Sequence, residues 1–64
     1  MLYVIVRKFR VQYDTTLYRN YYGWVYKTSL AQKYPDYNTA LFDCKRLRVH
    51  LPDSKIEVCK CDTL

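Results

Sequence analysis

Chain breakers are scarce: 64 residues hold one glycine and two prolines, while half the residues are apolar. That is the composition of a folded domain, not of a disordered or low-complexity tail. Long hydrophobic runs are also missing. The apolar stretch from Met1 to Val6 is shorter than a signal-peptide core, and nothing approaches the ~20 apolar residues of a membrane helix. The expectation is a soluble protein of the cytoplasm with no membrane partner. Histidine occurs once, at His50. Ser29 and Ser54 stand where caps and turns are expected, without a glycine-rich elbow, so the parts of a nucleophile-and-base site are absent. Length excludes more, because a chain of 7.8 kDa folds to a surface of roughly 4,400 Å². There is room for one two-layer domain spanning residues 1–64, but not for a deep enzyme cleft or a doubly wound nucleotide-binding sheet. The reading is a non-enzyme with no cofactor.

Cysteine is present but in odd number. Cys59 and Cys61 lie too close along one strand to bridge each other comfortably, which argues against a disulfide framework and for a reducing compartment. With Cys44 and His50 they make four nitrogen and sulfur donors. Zinc sites place two to four residues between paired cysteines, however, whereas only Lys60 separates Cys59 from Cys61, and Cys44 falls on an apolar helical stripe, so small buried hydrophobes are expected and no metal is assigned.

What the chain has in quantity is rings and β-branched residues. Leu2 to Tyr13 reads as a long strand, apolar at Tyr3, Ile5, Phe9, Val11 and Tyr13 on one side and at Leu2, Val4 and Val6 on the other. Asp14, Thr15 and Thr16 supply a turn, and Leu17 to Leu30, with Tyr22, Trp24 and Tyr26 at period two, reads as a second strand antiparallel to the first. Gly23 inside it suggests a bulge or a close backbone approach. From Asp36 the period changes. Tyr37, Ala40, Leu41, Cys44, Leu47 and Leu51 form one stripe of a helix, begun by Asp36 as N-cap or Pro35 at the first position and ended at Leu51 by Pro52. Lys55 to Cys61 alternates as a last strand. The expected fold is α+β: a two-layer ββαβ domain with one helix packed on a three-stranded, mainly antiparallel sheet.

A lone helix covers one sheet face, and Tyr3, Phe9, Tyr13, Tyr22, Trp24 and Tyr26 cannot all turn toward it. An open aromatic face is therefore expected. Basic residues flank it, with Arg7, Lys8 and Arg10 on the first strand and Lys45, Arg46 and Arg48 on the helix. The expected partner-binding residues are Arg7, Phe9, Arg10, Tyr22, Trp24 and Tyr26, with Phe42 and Arg46 of the outer helix face as a second patch. Trp, Tyr and Arg are the usual anchors of protein interfaces. The same residues on a sheet could stack unpaired bases and track phosphates, so a single-stranded nucleic-acid-binding module is the alternative. Net charge of +5 with six acids interspersed is modest for a dedicated nucleic-acid binder. A homodimer through an exposed strand edge is a third reading. Trp24→Ala is expected to abolish partner capture and leave the fold intact.

The tripeptide Leu17, Tyr18, Arg19 matches the signature of the mitochondrial LYR-motif family, whose three-helix form does not suit a segment read as turn and strand. In length, element order and the stretches YVIVRKF, WVYKTSL, TALFDCKRLRVHLP and KIEVCKC, the whole chain resembles small bacteriophage-encoded proteins that redirect or inhibit host machinery. That resemblance implies a compact domain without catalytic residues, acting in the host cytoplasm by occupying a surface of a larger host protein or complex.

Overall fold

The computed structural model describes residues 1–9 and 15–61 and shows a small α+β domain. Strands β1 (Leu2–Phe9), β2 (Thr16–Asn20), β3 (Gly23–Val25) and β4 (Ser54–Cys61) form one antiparallel sheet in the order β3-β2-β1-β4, and helix α1 (Tyr37–His50) connects its two edges. Asp36 is the N-cap: its carboxylate accepts the Thr39 backbone N–H at 3.1 Å, satisfying one of the donors a helix start leaves open. The helix ends at His50 with Leu51 as C-cap, one residue before Pro52. The last strand matches the alternation and gains Ser54.

Four strands, not three, make the sheet. The segment Leu17 to Leu30, expected as one strand, is split into β2, β3 and a short 3-10 turn at Thr28–Leu30. The chain reverses at Tyr21 and Tyr22, where the Asn20 side-chain oxygen accepts the Tyr22 N–H at 3.0 Å. It re-enters the sheet through Gly23 at φ +151°. The two ring-bearing turn residues offer no Asn-Gly or Asp-Gly signal, and the period of Tyr22, Trp24 and Tyr26 runs on across the reversal. The end of the expected first strand, from Arg10 to Tyr13, lies outside the described residues.

Register decides the faces. Arg7 stands opposite Leu17 and Ile56, Ile5 opposite Val58, and Arg19 opposite Trp24; directly opposed residues share a face. Ile5 and Ile56 pack with Ala40, Cys44, Leu47 and Tyr34, and Tyr3, Trp24, Leu51 and Val58 close around them. Leu2, Val4, Val6, Tyr18, Cys59 and Cys61 lie on the other face, where Ala31 packs against them. Tyr34 exchanges two backbone hydrogen bonds with Tyr3, at 2.9 and 2.8 Å, which holds the segment before the helix to β1. The face without a helix is thus mostly aliphatic and partly covered, with Val4 buried. The expectation that this face would carry Arg7, Phe9 and Trp24 is overturned, because alternation from Ile5 and pairing with Arg19 turn these residues to the helix side.

Both sheet edges are modified. β3 is only three residues long, and on β4 the Ile56 carbonyl accepts Arg48 Nε at 2.8 Å. A three-residue edge is a poor template for another strand, whereas β4 runs eight residues with the Ile56 carbonyl engaged.

Candidate interaction site

Helix α1 packs over β1 and β4, so the helix-side surface of β2 and β3 is built by side chains. Trp24 supplies the platform. Its ring packs against the core, and two guanidiniums lie over it, Arg7 with Cζ 5.2 Å and Arg19 with Cζ 6.0 Å from the ring centroid. Arg7 also lies 4.5 Å from the Phe9 centroid. Each such cation–ring contact is worth about 0.5–2 kcal/mol, more as water is excluded. The Arg7 side chain is fixed from behind, because its Nε donates to Ser54 Oγ at 2.8 Å and Ser54 is buried.

Arg19 links this stack to the helix. Its Nε lies 3.9 Å from Asp43 Oδ2, within ion-pair range but beyond hydrogen-bond range, and is buried without a hydrogen-bond partner. Asp43 is already engaged: Oδ2 accepts the Tyr34 hydroxyl at 2.5 Å and Oδ1 accepts Arg46 Nη2. Burial by itself would raise the Asp43 carboxyl, but the hydrogen bonds from Tyr34 and Arg46, with the charges of Arg46 and Arg19, outweigh it and hold the group below its ordinary value. The Tyr34 hydroxyl moves the opposite way, raised by burial and then by its bond to Asp43.

Of the residues expected from sequence, Arg7, Phe9 and Trp24 come together in this seam, and Arg46 joins it through Asp43. Tyr22 is 99% exposed on the β2–β3 turn beside Tyr21, and Tyr26 is 76% exposed just past β3. Phe42 and Val49 are exposed on the outer helix face. Arg10 lies outside the described residues. Sequence reasoning missed Arg19, Tyr34 and Ser54 and gave Asp43 no role. Asn20 and Gly23 around a two-residue reversal are the signal that places Arg19 opposite Trp24.

The four donors weighed as a metal set do not converge. Cys44 faces the helix-side core, Cys59 and Cys61 lie across the sheet, and His50 is exposed at the end of α1. Among the described residues, no three His, Cys, Asp or Glu side chains gather as a metal site. Burial raises the Cys44 and Cys59 thiols, which favours the protonated form. No described helix is long and apolar enough to cross a membrane.

Comparison with protein-family models, with curated proteins and with solved structures finds no match to the chain.

Proposed function

We propose that this chain is a non-enzymatic binding protein that associates stoichiometrically with a larger protein or complex and modulates or inhibits it, in the manner of the small phage proteins its sequence resembles, in the host cytoplasm. The observation that carries the reading is the placement of rings. Tyr21, Tyr22 and Tyr26 stand exposed around the β3 side of the sheet, next to a Trp24 held rigid by Arg7 and Arg19. Rigid rings and stacked arginines supply interface area at small entropic cost. A standard interface of about 800 Å² per partner takes roughly a sixth of the 4691 Å² surface.

The nucleic-acid reading loses ground on the same geometry. Arg7 already lies over both Phe9 and Trp24, and Arg19 lies over Trp24, so these two rings offer a base less surface, and stacking would fall to the exposed Tyr21, Tyr22 and Tyr26.

Trp24→Ala is not a clean probe, since the ring packs against the core. Tyr22 and Tyr26 are exposed and can be changed without touching it. The Tyr22→Ser, Tyr26→Ser double variant is expected to keep its far-ultraviolet circular dichroism and to lose the protein that wild type captures from host lysate, scored by mass spectrometry. Undiminished capture would show that the β3 side is not the contact surface.

A further inference from the structure

We infer that the seam of Arg7, Arg19 and Arg46 is a receptor for carboxylate side chains on an acidic segment of the bound protein. The inference rests on the binding reading above and adds the chemistry of the partner.

Arg19 and Arg46 share one carboxylate, Asp43, and Arg7, over Phe9 and Trp24, has no acidic partner among the described residues, which leaves an excess of positive charge in a partly dry setting. Arg19 Nε is the most telling atom. A buried donor without an acceptor forfeits its hydration and gains nothing for it, so the Arg19 charge is under-compensated, and an arriving carboxylate offsets it from the part of the side chain that stays accessible. Arg7 is prepared differently. Its Nε is taken by Ser54 and its plane is held over Phe9 and Trp24, while no described residue accepts from its two terminal nitrogens. A fork of that kind is preorganised for bidentate capture of a carboxylate. Arg7 and Arg19 flank one ring at 5.2 and 6.0 Å, so a single short segment reaches both. Arg46 is exposed on the helix and extends the row. Asp43 shows which anion the seam accepts, and the net charge of +5 steers acidic partners toward it.

Trp24 is the sole tryptophan and reports directly on the seam. Titrating the intact protein with a glutamate-rich peptide is expected to change its fluorescence saturably, whereas the same peptide with glutamine in place of glutamate leaves it unchanged. Arg7→Gln and Arg46→Gln should each weaken the response about tenfold, the scale of one charge-assisted hydrogen bond. Arg7→Lys, which keeps the charge but loses the fork, should not restore it. Arg46 is exposed, so its variant tests the inference even if Arg7→Gln disturbs the fold. No response to the glutamate peptide, an equal response to the glutamine peptide, or indifference to Arg46→Gln overturns the inference. So does a stronger response to a phosphoserine peptide or to single-stranded DNA. Lysate capture separates the two proposals. Partner retained by Arg7→Gln, Arg46→Gln but lost by the tyrosine double variant sinks the carboxylate receptor alone; capture indifferent to both sets of changes sinks the binding surface as well.

Discussion

Asp43 ties helix to sheet through one carboxylate, accepting from Tyr34 and Arg46 and facing Arg19. Stability should follow its ionisation. Because the folded chain holds the Asp43 carboxyl below its ordinary value, the native state binds fewer protons there than the unfolded chain. That contribution is complete above the ordinary carboxylate range and is lost as pH falls through it to the folded value. Tyr34 behaves oppositely. Its hydroxyl is raised, so its contribution is complete below pH about 10 and is lost as pH climbs beyond. Denaturant midpoints measured against pH should therefore decline at both ends. Asp43→Asn is expected to cost about 1–3 kcal/mol near neutrality, the penalty of weakening a part-buried, charge-assisted network, and to flatten the acid limb. Tyr34→Phe should flatten the alkaline limb and also shrink the acid limb, because it removes one of the hydrogen bonds that hold the Asp43 carboxyl low. A wild-type acid limb in Asp43→Asn would assign it to another carboxylate.

The β2–β3 hairpin is the element on which the candidate site depends, since its reversal sets Arg19 opposite Trp24. Gly23 makes that reversal at φ +151°, and a Cβ added there meets nothing within 4 Å. The expected cost of Gly23→Ala is thus conformational, not steric, about 1–3 kcal/mol, read as a drop in unfolding free energy. A chemically synthesised chain with D-alanine at this position should be tolerated. Equal losses for both alanines would locate the cost in side-chain crowding. The same element shows where legibility ran out. Helix α1 was readable because a period of 3.6, an Asp cap and a Pro stop all agree on it. β4 was readable because alternation suffices for a strand. The hairpin was not, because Tyr22, Trp24 and Tyr26 keep one period through a turn that breaks the strand. Arg7, Phe9 and Trp24 were recognisable as a group, while their face was assigned wrongly, since a face follows from register and register from the turn.

At the scale of the whole molecule, salt separates a protein partner from a nucleic acid. If the basic residues served phosphates, affinity for single strands would fall with a log-log slope of about −0.7 for each contact. Fluorescence of Trp24 titrated with single-stranded DNA and RNA at two ionic strengths is expected to show no saturable response. A saturable one with such a slope would restore the nucleic-acid reading. By itself, the sequence determined that a small α+β domain forms, that its helix lies between Pro35 and Pro52, and that it has more rings than one helix can cover, since these follow from composition, period and local capping. Only the tertiary structure decided how many strands there are, that Trp24 and Phe9 share the helix's side of the sheet, that Arg7 and Arg19 meet at Trp24, and that Arg19 and Arg46 meet at Asp43. Those relations join residues far apart along the chain, and strand pairing and packing, which act through space, are what bring them together.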